Sequence, residues 1–121
     1  MNQKVYLLSA TVLTAIFGIG FILLPAQVLA LYGVPSNTSM IWLGRFYGGT
    51  LVTIALIMGT LIPLAQEGHT KEVILSASLG NAILAFIAIG THLAGIGNDI
   101  VWIAVALYGV FALWGVVVAF K

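Results

Sequence analysis

The sequence predicts an all-α integral membrane protein: a four-helix bundle in up-down-up-down order, with a short interfacial helix between the first and second spans. Three observations carry this prediction. Four apolar runs, residues 6–24, 41–65, 73–93 and 100–120, fill most of the 121 residues. Each matches the roughly 20 helical residues that cross a hydrocarbon core of about 30 Å. The chain is 62% hydrophobic and only 6% charged, against about 25% charged in an ordinary soluble domain. The links between runs are short, which favours a single transmembrane domain over residues 1–121 with antiparallel neighbours.

The first run follows Lys4 and stops at Pro25, a residue that breaks a helix interior. Val28-Leu29-Ala30 has the look of a signal-peptide cleavage site. The preceding apolar run is longer than a secretory h-region, so a retained first helix is expected. Residues 26–35 are too few to span. They suit a short interfacial helix with Pro25 at its first position and Gly33 as its stop. Ser36-Asn37-Thr38-Ser39 offers several N-caps for the second span. Pro63 should bend or end that span. Residues 66–72 are the most polar stretch and belong in water, and the tight link 95–99 makes the third and fourth spans antiparallel neighbours. Lys4, Lys71 and Lys121 fall on one side and Arg45 on the other. By the positive-inside rule both termini are expected in the cytoplasm.

Between helices in lipid, close packing of small residues replaces the hydrophobic driving force. Of fourteen glycines, Gly44 and Gly48 form a GxxxG pair with Gly49 beside it. Ala77, Asn81, Ala85, Ala88 and His92 share one face of the third span, and Ala104, Ala112, Gly115 and Ala119 one face of the fourth. These stripes are expected to face inward. Trp42 and Trp102 fall near span starts on the same side, where indoles anchor at the interface.

Few side chains are available for chemistry. Arg45 lies about one turn inside the second span, where its side chain either snorkels to the headgroups or turns inward and pairs, and His92 and Asp99 lie at the same end. An Arg45–Asp99 pair with His92 nearby is expected, either clipping two segments together or holding a polar group of a ligand. Asn81 sits mid-span, eleven residues before His92 on the same face. Tyr47 and Tyr108 can add hydroxyls to the same interior. Arg45, Tyr47, Asn81, His92 and Asp99 are therefore the candidate ligand-binding residues. The chain has no cysteine, which excludes thiolate and disulfide chemistry by this chain alone. No Asp, Glu or Lys lies deep in a span, as a proton-coupled antiporter or a retinal Schiff base requires. His69 and His92 are at opposite ends, so no metal site is expected. No catalytic constellation, phosphate-cradling loop or cofactor motif is visible, and nothing suggests nucleic acid.

Leu31-Tyr32-Gly33-Val34-Pro35, followed by Leu43-Gly44-Arg45-Phe46-Tyr47-Gly48-Gly49, resembles the small bacterial four-helix membrane proteins of the DoxX-like group. In those, a short Pro-started connection precedes an Arg-x-Tyr-Gly-Gly-like block. The resemblance covers roughly residues 20–60. It implies a four-helix bundle in the bacterial inner membrane with cytoplasmic termini, carries over no catalytic role, and draws attention to Arg45.

The first functional expectation is a non-catalytic accessory or structural subunit packing against other membrane helices. The alternative is a binder of a lipophilic ligand (quinone, lipid or pigment) at the non-cytoplasmic end of the bundle. A transporter or channel component comes third, because few polar groups are available to line an aqueous path.

Overall fold

The helix boundaries follow from the prolines and glycines. A computed structural model of the chain describes residues 3–67 and 69–121, so Gly68, within the polar connection 66–72, lies outside the described residues. Helix α1, Gln3–Leu23, ends where Leu24 leaves the helical region at φ −130°, as the residue before a proline prefers. Pro25 is the first residue of α2, Pro25–Leu31, the short helix expected there. Gly33 stops it at φ +69°. Its N–H donates to Ala30 O at 3.0 Å, and that of Val34 to Leu29 O at 3.0 Å.

Among the four polar residues that precede α3, Thr38–Leu61, the cap is Asn37: its side chain accepts the Met40 N–H at 3.0 Å. The apolar run continues to residue 65, but the helix stops at Leu61. Pro63 has no N–H to extend the ladder. Ile62 N–H folds back to Gly59 O at 3.3 Å, and the chain continues as a 3-10 turn, Pro63–Glu67. Helices α4, Lys71–Leu93, and α5, Val101–Ala119, are joined by a link in which Gly95 and Gly97 take φ of +86° and +80°. Among the described residues there is no strand. The four long helices are each long and apolar enough to cross a membrane.

The helices associate as two pairs. Helix α1 lies along α3, and α4 lies along α5. Helix α1 touches α4 and α5 only briefly, and α3 packs on neither. The first pair is close because of two glycines. A Cβ added at Gly48 would stand 2.6 Å from the Gly18 carbonyl oxygen, and one at Gly18 would stand 2.9 Å from the Gly48 carbonyl oxygen. Gly44 is looser, with Pro25 Cβ at 3.5 Å. Gly49, expected to pack, has nothing within 4 Å, because it points off the α1-facing side.

The pairs are fastened at both ends. At the end carrying the termini, Tyr6, Leu7, Ile74, Val118 and Ala119 form a buried cluster. Tyr6 O–H donates to Phe111 O at 3.3 Å, and its ring lies edge-on to Trp114 at 5.3 Å. Gly115 faces Ser78 and Tyr6 there without room for a side chain. Buried Thr70 hydrogen-bonds to Gln3. At the other end Asn98 clamps the α2 turn: its Nδ2 donates to Leu31 O at 3.1 Å and its backbone N–H to Tyr32 O at 2.9 Å.

Candidate ligand-binding cleft

Two helix pairs fastened at their ends leave a space between them. It is a partly open cleft of about 470 Å³, reaching from Tyr6 and Met58 near one end to Tyr32 and Val101 near the other. Its wall is mainly apolar: Leu13, Phe17 and Phe21 from α1, Leu51 and Ile54 from α3, Leu84 and Ile87 from α4, Leu107 and Phe111 from α5. Small residues on α4 and α5 widen it. Ala77, Gly80, Ala88 and Ala104 all line it, and a Cβ at Gly80 would meet nothing within 4 Å. Two alanines of the expected inward stripes, Ala85 and Ala112, are half-buried but outside its lining.

Six polar side chains reach this wall: Tyr6, Thr14, Tyr32, Tyr47, Asn81 and Tyr108. Tyr47 and Tyr108 hydroxyls are 3.2 Å apart and hydrogen-bonded. The bond bridges α3 and α5, whose backbones do not approach. The Tyr47 ring is held edge-on to Phe21, centroids 5.0 Å apart. A pair of hydroxyls sharing one bond uses one hydrogen, so the other O–H is left to donate. In apolar surroundings an unspent donor favours any ligand that brings an acceptor. Asn81 Nδ2 donates to Ala77 O at 2.8 Å, which leaves its carbonyl oxygen uncommitted by that bond. Tyr32, outside the long helices, has its phenol pushed above the ordinary range by burial and then by neighbouring Tyr108. It is a neutral hydroxyl at physiological pH.

Of the five residues singled out from the sequence, Tyr47 and Asn81 are in this wall; Arg45, His92 and Asp99 are not. The expected Arg45–Asp99 pair does not form. Asp99 Oδ1 lies 3.5 Å from His92 Nε2, and the His92 ring is edge-on to Trp102 at 5.3 Å. Arg45 instead places its guanidinium 5.9 Å from the centroid of the Trp42 ring. The reason is rotational: Arg45 follows directly after Gly44, which is buried against α1 and α2, and its own side chain is exposed on the other side of α3. Trp42 and Trp102 are exposed near the starts of their helices, at the end where anchoring was expected.

The sequence reading missed most of the cleft. Phe17, Phe21 and Leu107 carry no mark that separates them from lipid-facing residues of the same helices, since both surroundings are apolar. Gly18 had a weak signal: it is the small residue that Gly48 needs opposite it. Among the described residues, no three His, Asp or Glu side chains gather as a metal site. No protein-family model, curated protein or solved structure matches this chain.

Proposed function

We propose that this is an integral membrane protein that holds a small lipophilic molecule in the cleft between its two helix pairs. The membrane reading is supported by what the helices leave outside. Leu23, Phe46, Leu56, Phe86, Leu93 and Leu113 are each about 70% exposed, distributed over four long helices. An apolar surface of that extent needs lipid or protein against it. The up-down-up-down bundle, the DoxX-like kinship and the bacterial inner membrane are part of the same proposal. Lys4, Lys71 and Lys121 at the terminal end against Arg45 at the other support cytoplasmic termini.

The observation that carries the ligand reading is the apolar cleft with the Tyr47–Tyr108 pair in its wall. Ligand sites in proteins are concave, mostly apolar and supplied with a few convergent polar groups. A molecule with an apolar body and one acceptor oxygen satisfies this one; quinones, carbonyl-bearing lipids and oxygenated pigments fit that description. Any redox chemistry would belong to the ligand or a partner.

Native mass spectrometry of the gently extracted protein tests this. A defined small mass in stoichiometric amount is expected, and Gly80→Leu, which fills open space in the cleft, should remove it while the protein stays folded. A wild-type chain free of any small mass would sink the reading. The accessory-subunit role is the second reading. It is supported by Gly90 and Gly109, whose Cβ positions meet nothing within 4 Å, since uncovered glycines let another helix approach. Defined additional polypeptides in the same spectrum would favour it. Nothing in the wall of the cleft suggests a continuous aqueous path, so a channel role has no support.

A further inference from the structure

Helix α3 has a second working face, turned away from both α1 and the cleft. Trp42, Arg45, Phe46, Gly49, Thr50 and Thr53 border an open groove of about 470 Å³ along it. Their spacing is that of one helix stripe. Gly49 makes the concavity, because its Cβ position meets nothing within 4 Å.

The groove is polar at one end only. Arg45 follows Thr38 by seven residues, about 10 Å along the axis, and is exposed. Among the described residues no carboxylate lies within ion-pair distance of it, and Asp99 is engaged by His92 at 3.5 Å. Deeper in the groove the hydroxyls are spent. Thr50 Oγ1 donates to Phe46 O at 3.0 Å, and Thr53 Oγ1 to Gly49 O at 2.9 Å. A cation on the outer face of a span needs a counter-charge or water, and no carboxylate among the described residues supplies the counter-charge. An anionic headgroup is the counter-charge a bilayer offers at that depth, and the hydrogen-bond-silent floor below suits an acyl chain.

We propose that this groove binds an anionic phospholipid, its phosphate on Arg45 beside Trp42 and one acyl chain along Gly49, Thr50 and Thr53. The inference rests on the membrane reading above and is independent of the ligand in the cleft.

The test is lipid titration of the full-length protein in non-ionic detergent, read by native mass spectrometry, with dioleoyl phosphatidylglycerol and dioleoyl phosphatidylcholine as probes. Wild type should prefer the phosphatidylglycerol. Arg45→Ala should lower that preference about fivefold, the worth of one basic side chain at an anionic surface. Arg45→Lys should keep most of it. Gly49→Leu should reduce binding of both lipids by filling the groove. Lys121→Ala, at the other end, should change nothing. The proposal is overturned if Arg45→Ala binds as wild type does, or if Lys121→Ala causes an equal loss. It is also overturned if Gly49→Leu disrupts a homodimer while leaving lipid binding intact. Failure of the membrane reading looks different: the wild-type protein would stay monomeric and soluble without detergent.

Discussion

A methyl group added at Gly48 would sit 2.6 Å from the Gly18 carbonyl oxygen and 2.8 Å from Phe21 Cβ, while one added at Gly49 would touch nothing within 4 Å. The two residues are adjacent, so one helical step of about 100° decides the difference. Gly48→Ala should therefore separate α1 from α3 and destabilise the protein by about 1–3 kcal/mol, the usual range for overpacking. Gly49→Ala should be neutral, or stabilising by up to about 1 kcal/mol through helix propensity. Reversible unfolding in mixed micelles would measure both. Equal effects at the two positions would mean that the α1–α3 crossing lies elsewhere. At this scale the GxxxG pattern was informative about Gly44 and Gly48 and silent about Gly18. A glycine's need for close approach is a property of two helices, and only one of them is written around the motif. Arg45 shows the same limit: its depth in the span was legible, and its direction was not.

Helices α3 and α5 face each other across the cleft without backbone contact, and the Tyr47–Tyr108 bond of 3.2 Å is what joins them near mid-height. Long side chains reach where small ones could not, so the bond works as a strut. A double-mutant cycle with Tyr47→Phe and Tyr108→Phe isolates its energy. A coupling of about 0.6 kcal/mol is the average for hydrogen bonds between membrane helices, with a ceiling near 1.7. The cycle should fall in that range in the ligand-free protein, and the double variant, which removes both hydroxyls, should hold the proposed ligand less tightly than either single variant, each of which keeps one O–H to donate. A coupling of zero would mean that the hydroxyls meet no more often than chance. Element boundaries were largely legible. Pro25, Gly33 and Asn37 act on their own neighbours, so the short α2 and the start of α3 could be read locally. The end of α3 at Leu61 rather than residue 65 is also local, because Pro63 withholds an N–H from the ladder.

The whole molecule is two helical hairpin-like pairs held together at their ends by different means. At one end is a packed cluster around Tyr6, Leu7, Ile74 and Val118; at the other, Asn98 grips the turn after α2. An apolar cleft kept open by end fastenings has more to gain from an occupant than a closed bundle has. A ligand present at 100 times its dissociation constant stabilises the form that binds it by about 2.7 kcal/mol. Extraction of the ligand should therefore lower the thermal midpoint in detergent, adding it back should restore the midpoint, and Gly80→Leu should abolish that response. An unchanged midpoint on extraction and return of the small mass would place that molecule outside the cleft.

Four apolar runs, their proline and glycine punctuation and the scarcity of charge were enough to determine an all-helical chain with four long apolar helices and a short one after the first. Those are one-dimensional quantities: span length, local backbone chemistry and average hydropathy. The tertiary structure alone decided that the helices pair two by two, that a cleft opens between the pairs, and that Tyr47 and Asn81 belong to its wall while Arg45, His92 and Asp99 do not. The physical reason is that lipid and protein interior are equally apolar, so hydropathy holds no record of which face of a helix meets which. Only the rotation of each helix about its axis settles that, and rotation is fixed by close contacts such as Gly18 on Gly48.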